Sequence, residues 1–446
     1  MLIEKHAIVQ TDEPLFEDII GLEEEIEELK TIVDILASPE AYAKQGVSLP
    51  KGILMHGYPG TGKTLMVRAL ANEMKIPFYP IVAGGVKHPE KKGVTQSLQD
   101  IFERASAHAP SVILIDELDS FLEQSGVVRR NDVLLNQLLT LMDGFYQNKH
   151  VIVIATTNDI RSIPHALLRP GRFDRKIKFD LPSQRQRESA LKYFLRYADK
   201  EKTLSLERVA YMLECTTVAE IKHVVNESIL AAMKRKTPVS EEALLDAYDR
   251  YQLGITKKEE TRTAAQIKRI AIHEVGHAMV HHKLGCMGTI ARISIARKTD
   301  VGGHVRTVNH RYDEFTQTDL RHKIATLLAG YAAELEFYGE TATGTAHDID
   351  MATAIARDMV LVLGMSSLGP RKYRMSEGFE SERHASHIEA QIDQAIQDIL
   401  EAALKEAKAI VRKYRDLIEQ VSDVLVAKKV LTNQDFLMLI EEVSTE

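Results

Sequence analysis

The sequence predicts a multidomain chain: an α/β domain built on a parallel sheet, a helical stretch behind it, and a second, mainly α-helical domain. Three observations carry this reading. The 446 residues exceed one typical domain and suit two or three. Between Phe16 and Pro182 short apolar runs alternate with helical patterns, the signature of parallel strands joined by helices. After residue 183 the strand runs stop and helical periodicity dominates.

In order along the chain, residues 1–14 are a polar lead-in and 15–182 the α/β domain. Its strands are expected at Gly52–Met55, Phe78–Val82, Val112–Ile115, Val151–Ala155 and Lys176–Phe179. Residues 183–252 read as helices only, with Asn226–Met233 typical of them. Residues 253–263 are charged and unpatterned, which predicts a linker. Residues 264–446 form the second domain. Within it, 289–309 alternates β-branched with polar residues around Gly302-Gly303, so a small strand pair is expected there. Residues 366–384 read as a loop, and Ile388, Ile392, Ile396, Ile399, Ala403, Ala407, Ile410 and Tyr414 recur at helical spacing on one long amphipathic helix.

Composition narrows the classes. Apolar residues make up 44% and charged residues 27%, the balance of a globular protein. The net charge of −7 gives no reason to expect a nucleic-acid partner. Two cysteines, Cys215 and Cys286, form no close pair, which argues against a disulfide framework and fits a reducing, cytoplasmic setting. No apolar run approaches the roughly 20 residues that span a bilayer, and Met1–His6 lacks a signal-peptide layout, so no intrinsic membrane anchor is expected.

Two motifs carry chemistry. Gly57-Tyr58-Pro59-Gly60-Thr61-Gly62-Lys63-Thr64 follows an apolar run and opens a helical pattern, the context of a phosphate-binding loop. Its backbone N–H groups would turn toward phosphate oxygens, Lys63 would reach the β- and γ-phosphates of ATP, and the Thr64 hydroxyl would bind Mg²⁺. The strand Val112–Ile115 then delivers Asp116, suited to Mg²⁺, and Glu117, suited to polarising the attacking water. Farther on, His273-Glu274-Val275-Gly276-His277 sits in a helical pattern. There His273 and His277 fall one turn apart on one face and can share one Zn²⁺, while Glu274 can take a proton from an attacking water. Catalytic zinc usually takes three protein ligands. His281 continues the spacing but lies about 12 Å along the axis from His273, so it and His282 are expected at the surface. Glu334 and Asp348 remain as candidates for the third ligand.

The loop 57–64, the strand ending in Asp116-Glu117, Asn158 after 151–157, and the segment Leu167-Leu168-Arg169-Pro170-Gly171-Arg172-Phe173-Asp174-Arg175 together resemble an AAA+ ATPase. The resemblance implies that Asn158 senses the γ-phosphate and that Arg169 and Arg172 reach a neighbouring subunit's ATP within a homo-hexamer. It also implies nucleotide contacts at Ile20, Gly21 and Leu65. With His273–His277, Tyr331-Ala332-Ala333-Glu334 and 343–353 followed by Ala356-Arg357, residues 16–440 look like the cytosolic part of an FtsH-type AAA+ zinc metalloprotease. This implies an AAA+ P-loop ATPase with a helical lid, followed by a zinc metalloprotease domain acting on protein substrates. It further implies Asp348 as the third zinc ligand, Glu334 as a residue orienting a ligand, and Val301–Val305 as an edge strand that pairs with substrate backbone.

Four departures from the family pattern stand out. The chain begins almost at the nucleotide domain, so a soluble relative without membrane segments is expected. Glu90-Lys91-Lys92 falls where the family has an aromatic pore loop. An acid before the arginines is replaced within Ser162–His165, and Val218-Ala219 stands where a Gly-Ala pair lines the nucleotide. The pore-loop departure motivates a second reading, a zinc peptidase that does not thread its substrate. A third, a remodelling chaperone with structural zinc, leaves Glu274 without a task.

Overall fold

The computed structural model describes residues 14–45, 50–82, 94–123, 128–144, 151–254, 261–297, 302–308, 314–373 and 386–442. The chain separates into two compact units, Met1–Ala247 and Tyr248–Glu446.

The first unit holds a five-stranded sheet made of β1 (Gly52–Gly57), β2 (Phe78–Val82), β3 (Ser111–Asp116), β4 (Val151–Thr157) and β5 (Phe173–Phe179), in the order β2-β3-β4-β1-β5 with every pair parallel. A parallel sheet covered on both faces explains the continuous apolar runs. Along each strand the side chains alternate between two cores. Ile53, Met55, Val112, Leu114, Ile152 and Ile154 pack with Met66 and Leu70 of the helix Lys63–Met74. Leu54, Ile113, Ile115 and Val153 pack with Phe102 and Met142 on the other side. Parallel strands present their carboxyl ends together, and the loops after β1, β3 and β4 therefore meet at one edge of the sheet.

Behind the sheet come helices Gln184–Phe194, Leu206–Met212 and Val218–Arg235. Their starts are fixed by side chains that accept the free N–H groups of the first turn: Ser183 with Gln186, Ser205 alone, and Thr217 with Glu220. The helix Glu241–Leu253 follows. The division between the units falls inside it, ahead of the linker expected at 253–263. The cause is local: the Asp249 carboxylate is bonded to Arg292 of the second unit, so the end of this helix packs with that unit.

The second unit is built around the helix Ala264–Lys283, whose start is capped by Thr263 and Gln266. Twelve of its residues are buried, including Glu274 and three histidines, so it is enclosed on nearly all sides. Helices Gln317–Leu327, Ala329–Tyr338, Ala346–Leu361, Ser386–Lys413 and Arg415–Lys428 share one apolar core with it. The long helix Ser386–Lys413 carries the apolar stripe read from the sequence, with Ile392, Ala395, Ile396, Ile399, Ala403, Ala407 and Val411 buried. The strand pair expected in 289–309 is β6 (Thr289–Ser294) and β7 (His304–Val308), antiparallel, with β8 (Val430–Thr432) on the far side of β6. In the order β7-β6-β8, strand β7 stands at one edge of the sheet among the described residues. Among the described residues no helix is long and apolar enough to cross a membrane.

Candidate nucleotide and metal sites

The first site gathers at the carboxyl edge of the parallel sheet. Lys63 opens its helix with only 7% of its surface exposed. Its ammonium donates to the carbonyls of Gly57 (2.7 Å) and Tyr58 (2.8 Å) and to Asn158 Oδ1 (3.0 Å). Burial pulls the Lys63 pKa down, while Asp119, Asp116 and Glu117 pull it back up. Thr64 Oγ1 donates to Asp116 Oδ1 at 2.9 Å, and Thr156 Oγ1 donates to the same oxygen at 2.6 Å. Glu117 sits in the left-handed region at φ 51°, rare for a residue with a side chain, with its N–H bonded to Thr156 Oγ1. This turn carries Glu117 off the end of β3.

The loop itself can be made only from glycine at its first position. A Cβ on Gly57, at φ 140°, would lie 1.9 Å from the Phe179 carbonyl oxygen. Leu22 Cδ1 lies within 3.3 Å of where a Cβ on Gly62 would stand, so the segment holding Ile20 and Gly21 runs beside the loop. On the other flank Ala219 N–H meets the Gly60 carbonyl at 3.4 Å, which brings Val218, at the first turn of its helix, next to the loop. Free backbone N–H groups at a helix start, a buried cation and a hydroxyl–carboxylate pair fit a nucleotide triphosphate with Mg²⁺. Tyr58 and Leu65 are exposed.

The two arginines stand apart from this cluster. Arg172 forks onto Asp143, at 3.0 and 2.6 Å, and also donates to the Ala166 carbonyl. Arg169 is exposed. Glu90, Lys91 and Lys92 lie outside the described residues.

The second site lies in the Tyr248–Glu446 unit. His273 Nε2 and His277 Nε2 are 3.0 Å apart, and Asp348 Oδ2 lies 3.1 Å from the first and 3.3 Å from the second. Among the described residues this is the one group of three such side chains able to hold a metal ion. The other ring nitrogens are engaged from behind. His277 Nδ1 donates to the Thr326 carbonyl (2.7 Å), and His273 Nδ1 donates to Glu334 Oε1 (2.9 Å). Each bond fixes the ring orientation that turns Nε2 toward the centre. A tetrahedral zinc ion with donors about 2.0–2.1 Å away holds them roughly 3.3 Å from one another, so this donor set fits Zn²⁺ in both chemistry and spacing.

Glu334 is 3% exposed and its second oxygen accepts from Ala342 N–H at 2.7 Å. Arg269 Nη1 stands 3.7 Å away and balances the buried charge. Glu334 therefore reaches the centre only through His273. Asp348 is on the first turn of its helix, and His347 beside it is exposed. Burial lowers the His273 pKa, but hydrogen bonds to Asp348 and Glu334 outweigh it and push it up to about 10. Burial raises the Asp348 carboxyl, but the two imidazoles hold it well below the carboxylate range. Glu274 is 6% exposed. Burial raises its pKa and His273, His277 and His304 oppose this, leaving it above the ordinary glutamate value.

One expectation is corrected. His281 is buried, not superficial: its Nε2 bonds the Gly288 carbonyl at 3.2 Å and anchors the start of β6, whereas His282 is exposed. Sequence reading also passes over Gly330. A Cβ there would lie 2.4 to 2.6 Å from the His273 ring. Gly330→Ala is expected to tilt that ring out of line and cut zinc content and peptidase activity by about 10- to 100-fold, checked by metal analysis of the purified variant.

The description "ATPase family associated with various cellular activities (AAA)" matches residues 53–181, and "Peptidase family M41" matches residues 260–439. The chain is similar to the ATP-dependent zinc metalloprotease FtsH of Caldicellulosiruptor bescii, 35% identical across 96% of this chain and 72% of the relative. FtsH 2 of Thermoanaerobacter sp. is 36% identical across 96% of this chain and 83% of its own length. FtsH of Bacillus subtilis is 34% identical across 96% of this chain and 70% of its own length.

Proposed function

Since the chain belongs to the FtsH family of ATP-dependent zinc metalloproteases, we propose that it cleaves unfolded or partly folded proteins at His273, His277 and Asp348, driven by ATP at Lys63, Thr64 and Asp116. The convergence of those three side chains beside the buried Glu274 is the observation that carries the proposal.

Zn²⁺ held by His273, His277 and Asp348 would supply Lewis acidity toward the scissile carbonyl and the attacking water. Glu274 takes the proton of that water on its carboxylate and passes it to the leaving amine. A carboxyl raised above the ordinary range by burial suits both halves of that transfer. Glu334 and the Thr326 carbonyl accept from the outer nitrogens of His273 and His277, so that each ring turns its Nε2 to where the metal would bind. As an outer strand, β7 can offer backbone N–H and C=O groups to an extended substrate, a form of pairing that tolerates many sequences.

ATP with Mg²⁺ supplies the phosphoryl group whose hydrolysis does the work. Lys63 and the loop N–H groups would hold its phosphates, Thr64 and Asp116 would hold the cation, Glu117 would polarise the attacking water, and Asn158 would sense the γ-phosphate. Arg169 and Arg172 act on the neighbour's nucleotide in a hexameric ring, and Arg172 must exchange Asp143 for phosphate to do so. Ala219, the residue after Val218, bonds the Gly60 carbonyl, and a branched side chain at 218 is expected to trim the room for the nucleotide. Both cysteines are free, which supports a cytoplasmic location.

The test combines metal analysis with degradation of an unfolded protein. Asp348→Asn is expected to lose zinc and proteolysis together, and a variant that keeps both would remove Asp348 from the ligand set. Because His273 holds a proton up to a pKa of about 10, loading zinc at neutral pH releases it. Apparent zinc affinity should then rise about tenfold per pH unit below that value, read from chelator competition at pH 6.5, 7.5 and 8.5. A flat profile would mean that His273 is already neutral.

A further inference from the structure

Strand β7 presents a problem of charge. In the β6–β7 ladder Arg292 stands directly opposite Arg306, and like charges at paired positions repel. Both guanidiniums are largely buried, at 12% and 13% exposure. His304, on the same side of β7 as Arg306, adds a third basic group.

One acid meets all three. Asp249, 1% exposed, accepts from Arg292 Nη1 at 3.1 Å, forms an ion pair with Arg306 Nη2, and lies 3.7 Å from His304 Nε2. Burial pushes its carboxyl up, but His304, Arg306 and Arg292 outweigh that and hold it below the usual range. Tyr248, the preceding residue, covers Arg306 from the other side, with its ring centroid 4.3 Å from the guanidinium carbon.

The same strand borders the zinc site. Gly303, next to His304, lies so close to Glu274 that a Cβ on it would be 2.6 Å from Oε1. The placing of β7 therefore sets both the wall behind Glu274 and the outer strand of the sheet.

We infer that Asp249 is a positioning residue for proteolysis: by bridging Arg292 and Arg306 it holds β7 in place, and so keeps Gly303 against Glu274 and the substrate edge in register. This rests on the reading of Glu274 as the base and of β7 as the substrate edge. Removing one partner of a buried ionic group leaves uncompensated charge, whereas replacing it with a charge-balanced apolar set is tolerated.

Three variants test this on the full zinc-loaded chain: Asp249→Asn, Arg306→Met and the double variant. Asp249→Asn is expected to lower kcat/KM for an unfolded protein by at least about tenfold, with zinc content and ATPase rate kept. The double variant, having lost the opposed arginine pair, is expected to recover to within about threefold of Arg306→Met alone. A merely structural role predicts a loss of kcat/KM only in proportion to a loss of folded, zinc-loaded protein. Asp249→Asn within twofold of the wild type would overturn the inference. So would a double variant as inactive, or as poorly folded, as Asp249→Asn. If Asp249→Asn alone fails to fold, a folded and active double variant supports it. Failure of the underlying reading shows separately, as proteolysis that survives Glu274→Gln.

Discussion

Glu274→Gln is expected to abolish proteolysis, lowering kcat by about 10²–10⁴-fold, while zinc content and ATPase activity stay at wild-type levels. The substitution is nearly isosteric and removes only the group that accepts the proton. Glu274 is buried beside His273 and His277 on a largely buried helix. ATP turnover depends on groups of the Met1–Ala247 unit, so it should not follow the loss. Paired assays of ATP hydrolysis and casein-type degradation read both effects. Proteolysis that persists in this variant would remove Glu274 from the reaction.

Lys63→Ala should act from the other end. It deletes the cation that bonds the carbonyls of Gly57 and Tyr58 and the Asn158 side chain, and with it the charge facing the phosphates. ATPase activity is expected to fall by about 10²-fold or more, and degradation of whole proteins with it. Hydrolysis of a short peptide that needs no delivery should remain. If protein degradation continued at the wild-type rate in a variant without ATPase activity, the non-threading reading motivated by Glu90-Lys91-Lys92 would take precedence.

Much of this was legible in the sequence because a few physical rules act locally. Strands buried on both faces must be apolar throughout, and 52–55, 112–115 and 151–155 are. A phosphate loop must be rich in glycine, and two imidazoles one helical turn apart must share a face. What escaped depends on contacts between distant segments. His281 reads as surface because it lies too far along the helix to share the metal with His273, yet it is buried with its Nε2 on a backbone carbonyl seven residues on. Gly330 looks like any small residue in an apolar helix until the His273 ring is placed against it. Asp249 falls in a stretch read as ordinary lid helix, and nothing nearby announces Arg292 and Arg306 as its partners. The third zinc ligand was of the same kind: spacing alone left Glu334 and Asp348 open. In the structure Glu334 stands behind His273 and Asp348 beside both Nε2 atoms.

The central claim is that one chain couples ATP hydrolysis to zinc proteolysis. Its most direct test is the rate at which the zinc-loaded protein degrades an unfolded casein-like substrate with ATP, with ADP and with a non-hydrolysable ATP analogue. The account predicts rapid degradation with ATP alone. Equal rates under all three nucleotides would contradict it.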